Sequence, residues 1–311
     1  MKLNRHKFWS CAVASAPADR PAISPGEWRF EKVFASSALS LLPHSVTCMA
    51  DPFFFRRDGR LFLFAERKLR GEHGVIVCTS TADLKNWTPP EEVLREPFHL
   101  SFPYVFRYGD EIYLLPECCK SKSLRLYRFT DFPRRCSLVR SMFEGETLVD
   151  SSIIEYDGSW YLFTTAMEVN GDAVNYELRL YCADSPNGAW QRHPASPITT
   201  DPGSARNGGA IFRFGGRLIR PAQNCRCGYG GDLSLFEIDE LSREKFREHP
   251  AAENIYRGVS PLFAKGGHHL NYCDFQGRSI FSCDGAGLEH PLNPYISAFW
   301  AACRRLTGKK S

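Results

Sequence analysis

Asp51 and Asp150 stand at the same place in two similar stretches of this chain, each at the head of an apolar run. Two carboxylates gathered around one pocket raise each other's pKa, which is a route to acid–base chemistry. The equivalent places elsewhere hold Phe102, Asn207 preceded by Arg206, and His268 with His269. Polar groups at the mouths of apolar strands need a reason, because burying an unpaired charge is costly. A second set follows each run: Glu66 ends FLFAE, Glu117 ends YLLPE, and Gln223–Asn224 ends LIRPAQN. Glu117, between Pro116 and the Cys118–Cys119 pair, is the least surface-like of these. Arg206 has the fork to grip a phosphate or carboxylate, and Gly208–Gly209 lets the backbone approach a ligand closely.

The predicted catalytic set is therefore Asp51, Asp150, Glu117 and Glu66. The predicted substrate-binding set is Arg206, Asn207, Gln223, Asn224, His268, His269 and Asp274, with His99 as a further candidate. No metal and no cofactor are expected. Each residue also has a plain structural reading. Asp-Pro is a common turn starter, Glu66 suits a solvated strand end, Arg206 can pair with a neighbouring Asp, and Tyr229 packs in a core as readily as it stacks on a sugar.

The elements that position these residues repeat. Residues 51–66, 102–117, 150–165 and 207–222 each read as an apolar run, a tight turn and a second apolar run, the pattern of a β-hairpin. The turns are Asp58–Gly59, Gly109–Asp110, Asp157–Gly158 and Gly215–Gly216. A third strand-like run follows each hairpin, at 74–81, 124–130, 176–183 and 232–239. A worn fifth copy begins at His268, with its turn at Gln276–Gly277. A spacing of roughly 50–60 residues is near the blade length of some propellers. The fold class is all-β, a five-bladed β-propeller; a β-sandwich also has many short strands but does not call for five spaced hairpins. The expected organisation is a loose lead-in over 1–27, the propeller over 28–290 with residues 28–34 closing its last blade, and a short helix with a basic tail over 291–311.

The 311 residues carry a net charge of +4, too small for a nucleic-acid partner to be expected. No run approaches the roughly 20 apolar residues of a membrane span. Twelve cysteines include no CxxC pair, which argues against structural zinc. Several sit in apolar runs, so the chain reads as reduced and cytoplasmic rather than secreted.

Six blocks in order, ADPFFF, HLSFPYVF, YLLPE, LVDSSII, ARNGGAIF and QNC, between about residues 46 and 274, resemble the N-terminal domain of the plant glucosamine inositolphosphorylceramide transferases and related bacterial proteins. The resemblance implies a five-bladed propeller related to the superfamily that includes glycoside hydrolase family 43. It also implies a carbohydrate or glycoconjugate ligand. In the plant proteins a separate C-terminal domain is the recognised glycosyltransferase, so a separate transferase is an expected partner and that activity is not carried over by name. Family 43 enzymes resemble this chain in the first-blade Asp, here Asp51, which would be the general base. The third-blade Asp, here Asp150, would tune the acid. Their acid is a Glu opening the fourth blade, where this chain has Arg206–Asn207; Glu117 or Glu66 would have to replace it. Two functions follow as expectations: a glycosidase-like or glycosyl-transferring enzyme, or a non-catalytic carbohydrate-binding propeller that assists a separate transferase.

Overall fold

The computed structural model describes residues 8–17, 23–36, 45–171 and 173–288. These form five antiparallel sheets, the blades of a β-propeller. Blade one holds β3 (Val46–Arg57), β4 (Arg60–Leu69), β5 (Gly74–Thr81) and β6 (Glu91–Leu94). Blade two holds β7 (Ser101–Tyr108), β8 (Glu111–Glu117), β9 (Leu124–Asp131) and β10 (Arg135–Met142). Blade three holds β11 (Leu148–Tyr156), β12 (Ser159–Asn170), β13 (Ala173–Ala183) and β14 (Gln191–Arg192). Blade four splits its inner strand into β15 (Arg206–Asn207) and β16 (Phe212–Phe214), both paired with β17 (Arg217–Asn224), followed by β18 (Asp232–Leu241) and β19 (Phe246–Ala252).

Blade five is composite: β20 (Leu270–Phe275) and β21 (Arg278–Gly285) come from the end of the chain, β1 (Ser10–Ser15) and β2 (Arg29–Phe34) from its start. The expected closing strand is β2. The expected loose lead-in is corrected at β1, whose six residues are all buried between β21 and β2. Its sequence, SCAVAS, hid the strand: the small polar residues that interrupt the apolar run fit a strand sandwiched on both sides. The predicted helix and tail over 291–311 lie outside the described residues.

The hairpin turns follow from their residues. Both central residues are left-handed at Asp58–Gly59, Asp157–Gly158, Gly215–Gly216 and Gln276–Gly277, while at Gly109–Asp110 only Gly109 is. One apolar cluster fills each junction between neighbouring blades. Phe64 and Ile76 meet Leu114 and Tyr127 between blades one and two. Leu115 and Leu126 meet Leu162 between two and three. Phe163 and Leu178 meet Leu218 between three and four. Leu235 and Ile219 meet Phe281 between four and five. Val13 and Ile280 meet Leu61 and Leu63 between five and one. Each fully buried Phe or Leu here contributes about 1.5–3 kcal/mol of transfer free energy, so the ring is closed by five apolar seams. The eleven described cysteines carry no disulfide. No described helix is long and apolar enough to cross a membrane.

Candidate functional site

The inner strands of blades one, two and three each carry a β-bulge at the same level, between Ala50 and Phe53, Ser101 and Tyr104, and Val149 and Ser152. At each bulge one non-glycine residue is left-handed: Asp51 at φ 53°, Phe102 at 45° and Asp150 at 48°. Bulges re-aim side chains, and left-handed backbone at such residues persists only where the surroundings impose it. Here they turn two carboxylates toward the axis. In blade four the inner strand is instead broken between β15 and β16, at Gly208 and Gly209. A Cβ on Gly209, at φ +146°, would lie 1.9 Å from the Leu270 carbonyl oxygen, so only glycine lets blade four press against blade five.

Asp51 is 5% exposed. Its Oδ2 accepts from the Phe102 N–H at 3.1 Å. Its Oδ1 lies 4.0 Å from His268 Nδ1 and 3.8 Å from His269 Nδ1. Burial first, then the Asp284 and Asp150 charges, lift its pKa to about 7 against the pull of His268. Asp150 accepts from Arg206 Nε at 2.5 Å and from Gln223 Nε2 at 2.7 Å. Burial lifts Asp150 above the ordinary carboxylate range, and Arg206 opposes that shift. The Arg206 guanidinium also lies 4.6 Å from the Tyr229 ring centre. Arg206 thus both pairs with an Asp and belongs to the site.

Strand pairing generates the second ring. Glu66 pairs with Ala50, Glu117 with Ser101, Thr165 with Val149 and Gln223 with Arg206, so the ends of the second strands ring the same level. Glu117 Oε2 accepts from Ser101 Oγ at 2.6 Å, and its Oε1 from the Cys119 N–H at 2.7 Å. Glu66 lies 3.4 Å from His99 Nε2. Burial, and then the Asp51 charge, push Glu66 well above its usual value. His99 Nδ1 accepts from the Gly74 N–H at 3.0 Å, and burial lowers the ring's pKa.

The fifth member of this ring, Asp284, was not singled out in the sequence. It is fully buried on β21. It accepts from the main-chain N–H groups of Asp51 (3.0 Å), His268 (3.0 Å) and His269 (3.1 Å), and its Oδ1 lies 2.8 Å from His268 Nδ1. Burial alone would raise Asp284, but the His268 charge and hydrogen bond hold it below the ordinary range. His268 is held above its own: burial would depress it, and Asp284 outweighs burial. A signal existed in the spacing, since 51 to 66, 102 to 117, 150 to 165 and 269 to 284 are the same interval. Trp9 was missed for the same reason as β1. Its indole stacks on the His268 ring at 4.0 Å between centroids and 6° between planes.

Asn207 is fully buried, and its amide donates to the Asp150 and Phe163 carbonyls at 2.8 and 3.0 Å, so it braces the Asp150 bulge. His269 packs edge-on against Phe53 and Phe102, with Ala210 beside them, in an apolar plug on the axis; burial lowers its pKa to about 3 and keeps it neutral. Asn224 donates to Asn254 Oδ1 at 3.0 Å, to one side of the Asp150 group. The structure does not bring Asp274 into the cluster. Asp274 pairs with Ser279 next to the Gln276–Gly277 turn, at the far end of the hairpin from His268. Asp51, His268 and Asp284 offer ligand atoms within 4.8 Å of one another. The Asp284 oxygens are already taken by His268 and three N–H groups, so the trio is a hydrogen-bonded hub.

Residues 27–278 match the family model described as glucosamine inositolphosphorylceramide transferase 1, N-terminal. The chain belongs to this family. Glucosamine inositolphosphorylceramide transferase 1 of Oryza sativa subsp. japonica is 38% identical over 234 residues, covering 73% of this chain and 31% of the relative. The Arabidopsis thaliana protein of the same name is 35% identical over 206 residues, covering 64% and 26%. The chain therefore spans about a third or less of the curated relatives it matches. Among solved structures, a family 117 glycoside hydrolase from Zobellia galactanivorans superposes with a TM-score of 0.53 at 12% identity, covering 78% of this chain and 85% of that one. An α-L-arabinanase from Cellvibrio cellulosa, complexed with arabinohexaose, gives 0.53 at 13%, covering 79% and 93%. At this identity these neighbours establish the propeller fold that the family shares with such hydrolases.

Proposed function

We propose that the funnel binds a sugar ring of a glycan or glycoconjugate and acts on its glycosidic bond, by hydrolysis or by transfer, with Asp51 as the general base. The observation that carries this reading is the pair of bulges that aim Asp51 and Asp150 at one axis, with burial bringing Asp51 to about 7. A base is most effective near the working pH, and a carboxylate at that value is half ionised at neutrality. Asp150, pinned by Arg206 and Gln223, is the fixed negative charge that faces a developing positive charge on the sugar. The family relatives, named glucosamine inositolphosphorylceramide transferases, and the glycosidase folds among the structural neighbours support the substrate class.

The second reading is a carbohydrate-binding propeller that serves a separate glycosyltransferase. It is favoured by one observation: the fourth blade opens on Arg206 and Asn207 rather than on a carboxylic acid. A reducing, cytoplasmic setting is part of either reading, supported by cysteines such as Cys78 and Cys182 that pack inside apolar strands. A screen of the pure chain against aryl glycosides, and against nucleotide sugars with inositol-phosphate acceptors, separates the two. Turnover that Asp51→Asn lowers by about 10²-fold or more supports the enzyme. Calorimetric binding of the same compounds without turnover supports the binding module.

A further inference from the structure

We propose that Tyr229 is the proton donor of this site, fed by a buried His268–Asp284 pair. The inference rests on the enzymatic reading above and supplies the acid that the fourth blade lacks at Arg206. Tyr229 comes from the same blade, in the turn after β17, and is 46% exposed. Its hydroxyl lies 2.9 Å from His268 Nε2, and the opposite ring nitrogen, Nδ1, lies 2.8 Å from Asp284 Oδ1. His268 itself is only 2% exposed and does not reach a ligand in the funnel. Of Asp284, His268 and Tyr229, only Tyr229 is exposed.

The geometry orients the proton. With both imidazole nitrogens protonated, Nδ1–H donates to Asp284 and Nε2–H donates to the Tyr229 oxygen. That oxygen is then an acceptor toward His268, and its own O–H points away from the imidazole. Two stacked groups favour the charged form. Trp9 lies flat on the imidazole at 4.0 Å, where its π-face attracts a cation. Burial, and then the Asp51 and Asp150 charges, hold the Tyr229 hydroxyl well above its usual value, and the Arg206 guanidinium, 4.6 Å from the ring, opposes that shift and favours the electron-rich phenol of the transition state. Gly230 makes room for this stack: a Cβ there, at φ +61°, would lie 2.6 Å from the Trp9 ring. The charged and titratable groups facing His268 are Asp284 on β21, Asp51 on β3, Asp150 on β11, the neutral His269 beside it, and Arg206 across the phenol. The carboxylates outnumber the one guanidinium, and they keep the imidazole charged against its burial.

Asp51 lies 4.0 Å from the Nδ1 side of this ring and the phenol 2.9 Å from the Nε2 side. These distances and one ring width keep the acid–base separation below the upper end of the roughly 6.5–9.5 Å that an intervening water requires. The step balances as follows. Asp51 takes the proton of an attacking water or acceptor hydroxyl, whose oxygen bonds the anomeric carbon. The glycosidic C–O bond breaks, and the leaving oxygen takes the Tyr229 proton. Tyr229 recovers a proton from His268 Nε2, leaving a neutral imidazole on Asp284, and solvent exchange resets both ends.

Two measurements on the full chain decide this. In ¹⁵N-histidine NMR at pH 7 without ligand, His268 is expected as an imidazolium with both nitrogens protonated. A neutral ring with a bare Nε2 overturns the relay. In turnover, Tyr229→Phe is expected to lose on the order of 10²-fold on alkyl glycosides, whose leaving group needs a proton, and at least tenfold less on 4-nitrophenyl glycosides, whose leaving group does not. His268→Gln, a positioning change, is expected to move the alkaline limb of the pH profile. Equal losses on both leaving groups, or none, overturn the donor role. If the wild-type chain turns over no glycoside, the enzymatic reading falls and the donor role with it, while the imidazole signal still decides the relay.

Discussion

Asp284 Oδ2, at the end of β21, accepts a hydrogen bond at 3.0 Å from the main-chain N–H of Asp51, on the first strand of blade one. The same carboxylate holds the N–H groups of His268 and His269. One side chain therefore sets the left-handed turn that aims Asp51 and fixes the entry to blade five. It sits on the seam where the two ends of the propeller meet.

Asp284→Ala should be among the most damaging single changes in the chain. It leaves a buried, charged His268 without its partner and strands three N–H groups. Removing one member of such a buried pair costs about 3–5 kcal/mol. The urea midpoint should fall accordingly, and a loss under about 1 kcal/mol would show that the hub is not a stabilising element.

Asp51 works in the opposite sense. Its pKa of about 7 means the folded state keeps a proton that the unfolded chain gives up near its ordinary value of about 3.9. Stability therefore falls as pH rises between those values. Asp51→Asn should be more stable than the wild type at pH 8, by on the order of 1–3 kcal/mol, with the gap narrowing at pH 5. Denaturant curves at the two pH values check this; a variant less stable at pH 8 would refute it.

His268 and Asp284 give the complementary profile. The raised His268 contributes stability that is complete below its unfolded value of about 6.5 and is lost as pH rises through the folded value. The depressed Asp284 contributes stability above about 3.9 and loses it as pH falls through its lower folded value. The pair should stabilise most between about pH 4 and 6.5. In His268→Gln, stability measured by thermal melting should lose the decline above pH 6.5 that this pair produces.

Arg206→Met should leave the Asp150 carboxylate buried with only Gln223 as a side-chain donor. A loss of about 3 kcal/mol is expected. Arg206→Lys should recover part of the stability but not ligand affinity, because an ammonium cannot hold Asp150 through Nε while lying flat over Tyr229. Calorimetric binding of the best ligand from the screen would show the difference.

Gly209→Ala should distort the junction of blades four and five, since its Cβ would meet the Leu270 carbonyl and its φ is left-handed. A loss of about 2 kcal/mol or more in thermal or denaturant unfolding is expected. An unchanged midpoint would show that the strand relaxes there.

The propeller was legible because it is periodic. Five hairpin turns, five apolar pairs of runs and a regular interval leave few other folds. Asp51 and Asp150 were legible because they occupy the same position in two copies. Asp284 lay at an equally regular interval, but its copy was worn, and a buried Asp after an apolar strand looks like any strand end. β1 and Trp9 just before it lay beyond the reach of repeat counting, because they are at the other end of the chain from the hairpin that they complete. Asp274 was drawn in by nearness in sequence to His268. In a strand six residues long, that nearness spans the whole depth of the blade.

The composite fifth blade also has a consequence in time. Trp9 is made before blades one to four and the Asp284 carboxylate after them, and His268 is supported by both. During synthesis, blades one to four are complete as sequence while the funnel still lacks a wall. The site comes into being only when β20 and β21 meet β1 and β2, which are made before the other four blades. A chain that stops after blade four lacks the Asp284 wall of the funnel, however well its finished blades have folded.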